Sequence, residues 1–157
     1  DTAKKDSARK QIARNRKAFH NFEVLEQIEA GLMLQGTEVK SLREGQVSFN
    51  DAHAKTKGGE IWLVDMHISP YKNAAWSNHK PTRPRKMLLH KREISRLKDK
   101  VERQGLTLVP LDIYFRRGFA KVTLGVCRGR KKHDKRQVMR SRQDAKTMAR
   151  AMKEQRR

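Results

Sequence analysis

Asp65 and His67 lie two residues apart in the run EIWLVDMHI at 60–68. On a strand that spacing puts both side chains on one face, where a carboxylate beside an imidazole can act as the general base of a nuclease. Outward-facing polar positions on a strand look the same, and no further residue builds a site around the pair. His20, His53, His67, His79, His90 and His133 are scattered, with no pair four residues apart and no cysteine close by, so no metal site is expected. Cys127 is the only cysteine. One thiol makes neither an internal disulfide nor a cysteine-rich zinc site, and it suits a reducing cytosol. Neither a P-loop nor GxGxxG is present, and Gly58-Gly59 reads as a hairpin turn. No serine or cysteine sits in a nucleophile motif. The expectation is no catalytic residue, no metal and no cofactor.

The chemistry this chain does carry is cationic. Its 157 residues hold 38 Lys and Arg against 17 Asp and Glu, a net charge of +21. Charge of one sign at that density repels itself unless a polyanion neutralises it, so nucleic acid, or less often an anionic membrane, is the expected partner. No apolar run approaches the ~18 residues of a membrane span. The basic N-terminus has no apolar segment behind it, as a secretory signal would.

The excess charge sits at the ends. Residues 1–17 hold seven basic and two acidic side chains; residues 129–157 hold twelve and three. Phe, Tyr and Trp do not occur after Phe119, so the last segment lacks the apolar surface to fold alone. The expected organisation is a basic N-terminal arm (1–17), a compact domain (18–128) and a basic tail (129–157) that is disordered when free and orders on a polyanion. As a helix, residues 134–157 would span about 36 Å, with only a thin apolar stripe of Val138, Ala145, Met148, Ala149 and Met152.

Strands must build the compact part. In LTLVPLDIYF at 106–115, Val109, Leu111, Ile113 and Phe115 alternate with Asp112 and Tyr114, the period of a half-buried strand. Arg117-Gly118 then turns the chain into FAKVTLGVC at 119–127, with Val122, Leu124 and Val126 on one face. A second hairpin is expected about Gly58-Gly59, between 51–56 and 60–68. Further strands are expected at 22–28 and 31–36, joined near Gly31, and at Met87-Leu88-Leu89. Thr37 is expected to cap a helix ending at Gly45. A longer helix over about 90–104 carries Ile94, Leu97 and Val101 on one face and stops at Gly105. Residues 69–86, with Pro70, Pro81 and Pro84, read as a surface loop containing Trp76. Short strands with few helices leave edges to cover, and a closed antiparallel barrel of the OB type removes them. Such barrels bind single-stranded and structured RNA.

Five fragments in register, GTEVKSLREGQ (36–46), MHISPY (66–71), PTRPRKMLLHKREI (81–94), GLTLVPLDIYF (105–115) and GRKKHDKR (129–136), resemble the SsrA-binding (SmpB) protein family. The match runs from about Ala13 to the end of the chain. The resemblance implies a mainly β fold, a closed antiparallel OB-like barrel with about three helices and a basic C-terminal tail. It implies a cytoplasmic, ribosome-associated adaptor that binds transfer-messenger RNA and rescues stalled ribosomes by trans-translation. Elongation factor Tu is implied as a partner through the shared RNA, and small-subunit RNA as the partner of the tail. The tail would enter the decoding centre and the empty mRNA channel as a helix.

Residue by residue, the resemblance assigns RNA binding to Asn15, Arg16, His20, Phe22, Glu29 and Leu89. Lys is common in the family at the Arg16 position, and Tyr at Phe22, where stacking on a base is retained without a hydroxyl. The decoding site falls on Asp134, Lys135 and Arg136, within the tail segment Gly129, Arg130, Lys131, Lys132 and His133, and Gly129 is where the tail leaves the barrel. Asp144 stands where some members have an aromatic and Ala151 where a larger aliphatic is found, while Met152 keeps an apolar group. The alternative reading is a structural ribosomal or ribosome-assembly RNA-binding protein, also small, basic and tailed.

Overall fold

The computed structural model describes residues 9–74, 77–130 and 132–155, with only the backbone of 132–134. The chain is mainly β. In order it forms β1 (Arg9–Arg14), α1 (Arg16–Asn21), β2 (Phe22–Leu32), α2 (Gly36–Arg43), β3 (Val47–Ser48), β4 (His53–Lys57) and β5 (Glu60–Val64). There follow β6 (His67–Ile68), β7 (Arg85–Leu88), α3 (Lys91–Gln104), β8 (Thr107–Arg116), β9 (Phe119–Gly129) and α4 (Lys132–Gln155). Seven strands make one antiparallel sheet in the order β1-β8-β4-β5-β7-β2-β9, and β8 also pairs with β9; β3 and β6 form a separate pair. The described residues thus contain four helices, one more than expected, because the tail segment is itself a helix of 24 residues.

Both hairpins form where the turn chemistry placed them. Arg117 and Gly118 have φ of 52° and 80°, and Gly58 and Gly59 have 61° and 74°. Two consecutive positive φ values make the turn whose twist matches the flanking strands. In α3, Ile94 and Leu97 are buried, and left-handed Gly105 closes the helix.

The β8 strand departs from simple alternation. Its register with β9 shifts between Pro110 and Asp112. That extra residue turns the strand over, so four apolar residues expected on one face divide between two. Ile113 and Phe115 enter the main core with Leu63, Met87, Leu97 and Val122. Val109 and Leu111 point the other way, into a small cluster with Ala18 and Cys127 that Phe19, Phe22 and Val24 cover. A matching shift in β2 between Val24 and Glu26 sends Val24 to that small cluster and Ile28 to the main core. The two bulges create the seat on which α1 lies.

Other expectations are corrected. The strands expected at 22–28 and 31–36 are one strand ending at Leu32; Gly31 is a strand residue at which a Cβ would come within 3.1 Å of the Leu88 Cβ. Gln35, not Thr37, precedes α2; its backbone N–H donates to Glu38 Oε1 at 2.8 Å. The 60–68 strand breaks at Asp65, where φ is 62°, so Asp65 lies between strands and approaches His53 at 3.9 Å rather than sharing a strand face with His67. The 69–86 segment is not all surface. Arg85 and Glu38 are fully buried and ion-paired, and the Arg85 guanidinium also donates to the carbonyls of Met66 (2.7 Å) and Pro81 (2.9 Å). His79 is buried between Thr37 Oγ1 (2.8 Å) and the Ile68 carbonyl (2.9 Å). Residues 9–14, read by composition as part of the arm, pair along β8. Trp76 lies outside the described residues.

Candidate nucleic-acid interface

Asn15 is buried and locks the start of α1. Its Oδ1 accepts from the Ala18 N–H at 3.3 Å, its Nδ2 donates to the Pro110 carbonyl at 2.8 Å, and its backbone N–H donates to the Leu111 carbonyl at 2.7 Å. A side chain so committed positions α1 rather than presenting itself to a ligand. What α1 presents is Arg16 and Lys17, both exposed, and His20, half-buried. Arg14 lies over the Phe19 ring at 4.7 Å, which adds a cation to the same face.

The head of β2 meets the exit of β9 here. Phe22 pairs with Gly129, and the Arg130 N–H donates to the Asn21 carbonyl at 2.9 Å. Asn15, Lys17, Phe22, Gly129, Arg130 and Lys135 all line one open cleft of about 470 Å³. Residues assigned separately to RNA binding and to the tail therefore meet in one place. From this junction α4 runs outward. Arg142 Nη2 donates to the Phe19 carbonyl at 3.4 Å, while Met139, Met148 and Met152 are exposed, each by more than half. Arg136 is exposed as well. Lys132, His133 and Asp134 form the first turn of α4, and Lys131 lies outside the described residues.

Glu29 sits further along β2, away from this cleft, opposite Thr123 of β9. Its carboxylate accepts from the Tyr114 hydroxyl and from Arg116 Nη1, the latter at 3.1 and 3.2 Å. Partial burial opposes its ionisation, but the Tyr114 hydroxyl and the Arg116 guanidinium outweigh this and hold its pKa below the usual carboxylate value. Burial and the adjacent Glu29 carboxylate together push the Tyr114 phenol well up, so it stays a donor. Arg9 stacks over Tyr114 at 3.6 Å and donates to Asp112 (2.9 Å) and Thr123 (3.0 Å). Glu29 thus orders an arginine-bearing face shared by β1, β8, β9 and β2.

Tyr114, Arg116 and Arg9 are not among the site residues expected from the sequence. Only the cross-strand register identifies them, and Arg9 falls within the segment expected to be a basic N-terminal arm. Leu89 belongs to neither region. It follows β7, packs against the main core, and lines a groove of about 510 Å³ between β7 and α3, with Lys86, Lys91 and Lys98 on its rim. Among the described residues, no group of three or more His, Cys, Asp or Glu is placed to hold a metal ion, and no helix is long and apolar enough to cross a membrane.

Comparison with known proteins fits this picture. The family model described as SmpB protein matches residues 12–154. An SsrA-binding protein of Carboxydothermus hydrogenoformans is 51% identical over 142 residues, covering 90% of this chain and 95% of that protein. One of Treponema denticola is 54% identical over 142 residues, covering 90% and 92%. A solved chain from "tmRNA-SmpB: a journey to the center of the bacterial ribosome" is 49% identical with a TM-score of 0.66, covering 82% of this chain and 94% of that one. With matches of this extent across the sheet, the α1 junction and the helical tail, the chain belongs to the SmpB protein family.

Proposed function

We propose that this chain is a non-catalytic RNA-binding adaptor that binds the tRNA-like domain of transfer-messenger RNA and brings it to stalled ribosomes for trans-translation. The observation that carries the reading is the near-full-length likeness to SsrA-binding proteins and to a chain from a tmRNA–SmpB ribosome structure. The geometry supplies the means. Arg16, Lys17 and Arg130 stand around the α1 junction, where cations neutralise phosphates and release counterions. His20 and Phe22 offer rings on which an unpaired base stacks, worth roughly 1–3 kcal/mol per base. Glu29 contributes by holding Arg116 and Tyr114 in place for the RNA.

The scaffold for this work is an OB-like barrel in which β8-β4-β5-β7-β2-β9 close on themselves. Support comes from β8, which pairs with β4 at Leu108–Ala54 and with β9 along its length. The tail from Gly129 onward occupies the decoding centre and the empty mRNA channel, with Asp134, Lys135 and Arg136 at the decoding site and Met152 as an apolar contact beyond. It is disordered in the free protein and helical on the ribosome, since α4 buries little against the rest of the chain. Elongation factor Tu joins through the shared RNA, and the working compartment is the cytoplasm.

The experiment is to purify the chain with its bound RNA from a bacterial host and sequence that RNA. One species carrying both a tRNA-like domain and a reading frame is the expected result. Recovery of ribosomal RNA alone, in stoichiometric amounts, would instead mark a structural ribosomal protein.

A further inference from the structure

The function above leaves Trp62 unused. Trp62 sits mid-strand in β5, flanked across the ladders by Lys55 of β4 and Lys86 of β7. Its neighbours Ile61 and Leu63 are fully buried, so strand alternation puts the indole on the outer face, where it is half-buried. The indole Nε1 donates to the Lys57 carbonyl at 3.4 Å, which ties its edge to the hairpin. Beside it opens a cleft of about 470 Å³ lined by Lys55, Lys57, Gly58, Glu60, Trp62 and Pro84. Lys86 is ion-paired with Glu60 at 3.6 Å, whereas Lys55 and Lys57 are exposed and have no carboxylate partner among the described residues.

An aromatic platform in a sheet, walled by a proline ring and edged by two lysines outside any ion pair, with Glu60 opposite Lys57 held by Lys86, matches the chemistry of an unpaired nucleotide. The base stacks on the indole and the flanking phosphates meet the ammonium groups. The position of the cleft selects the source. By either route along the strand pairings, two strands separate β5 from β9: β4 and β8 one way, β7 and β2 the other. The α1 cleft reaches β4 only at its first residue, His53, whereas the Trp62 cleft opens at the Lys57–Gly58 end, so an RNA held at the α1 junction lies at the opposite end of β4 from the hairpin turn.

We propose that the β4–β5 hairpin is a second RNA site, where an unpaired nucleotide of ribosomal RNA stacks on Trp62 with its phosphates on Lys55 and Lys57. This rests on the adaptor reading above, since a chain that holds one RNA while docking on a ribosome needs two RNA-facing sides.

The test uses the full chain carrying Trp76→Phe, so that Trp62 is the one remaining indole. A short unstructured oligoribonucleotide is titrated while tryptophan fluorescence is read, with and without saturating tRNA-like domain. The expected results are quenching, no displacement by the tRNA-like domain, and affinity lowered on the order of tenfold by Trp62→Leu but kept by Trp62→Phe in the chain with both tryptophans, read there by oligonucleotide anisotropy. Lys55→Gln with Lys57→Gln, two exposed changes that leave the core alone, should flatten the log–log salt slope by about 1.4. The same pair should weaken association with ribosomal subunits at least fivefold while leaving tRNA-like-domain affinity unchanged. Absence of quenching with tRNA-like-domain binding intact would overturn the site and spare the adaptor reading. Displacement of the oligonucleotide by the tRNA-like domain would overturn the ribosomal source. Loss of tRNA-like-domain binding by the parent protein would sink the adaptor reading itself.

Discussion

Phe22 and Gly129 are cross-strand partners in the β2–β9 ladder, so the residue that follows α1 and the residue at which the tail begins occupy one point on the surface. An RNA seated on α1 would therefore start side by side with the tail leaving β9. Phe22→Ala is expected to weaken binding of the tRNA-like domain by about 1–3 kcal/mol, the range for removing a stacking ring. Phe22→Tyr keeps the ring and is expected to keep the affinity. Calorimetric titration of the two variants against the parent checks this.

Glu29→Gln keeps an acceptor for the Tyr114 hydroxyl but removes the charge that holds Arg116. Surface ion pairs contribute roughly 0–1 kcal/mol to stability, so the melting temperature should hardly move. Affinity for the tRNA-like domain should fall if Arg116 must be presented in its present orientation. Unchanged affinity at unchanged stability would remove Glu29 from the interface.

Glu38 and Arg85 are both fully buried, and Arg83 adds a second guanidinium to the same carboxylate. Removing one partner of a buried pair leaves the other charge uncompensated, which costs about 3–5 kcal/mol. Glu38→Gln should therefore lower the denaturant midpoint sharply, and its damage should reach the loop that Arg85 and His79 anchor.

Acid should act through the same carboxylates. Burial opposes the charge on Glu38, but Arg83, the Gln35 N–H and Arg85 overcome it, and the net pKa is lowered. Arg96 chiefly, with Lys100, lowers that of Glu26 against a smaller cost of burial. A carboxylate depressed in the folded state stabilises the fold above its ordinary pKa near 4.5, and that stability is lost as pH falls through the folded value. Melting temperature followed from pH 6 downward should hold until about pH 4–5 and then fall. Glu38→Gln should blunt the drop.

Much of the fold was legible, and the misses share a cause. Both hairpins, α3 and its glycine stop follow from turn chemistry and periodicity over a few residues. The bulges at 110–112 in β8 and 24–26 in β2 leave no local signature, because a register shift is decided by the partner strand. That is why Val109 and Leu111 were assigned to the same face as Ile113. Arg85 and His79 were hidden in a polar, proline-rich loop, since only their distant partners Glu38 and Thr37 explain their burial. For the candidate interface, the resemblance points to Phe22, Glu29 and Gly129. The structure supplied what surrounds them: Asn15 as the clamp of α1, and Tyr114, Arg116 and Arg9 as the network around Glu29.

The central claim is that this chain recognises one folded RNA rather than polyanions in general. The direct measurement is equilibrium binding of the tRNA-like domain of transfer-messenger RNA against an ordinary transfer RNA, at 50 and 200 mM salt. About six to ten phosphate contacts predict a loss on the order of 10³–10⁵ in affinity across that range, with the tRNA-like domain bound more tightly at both ends. Equal affinity for the two RNAs, or binding indifferent to salt, would contradict the account.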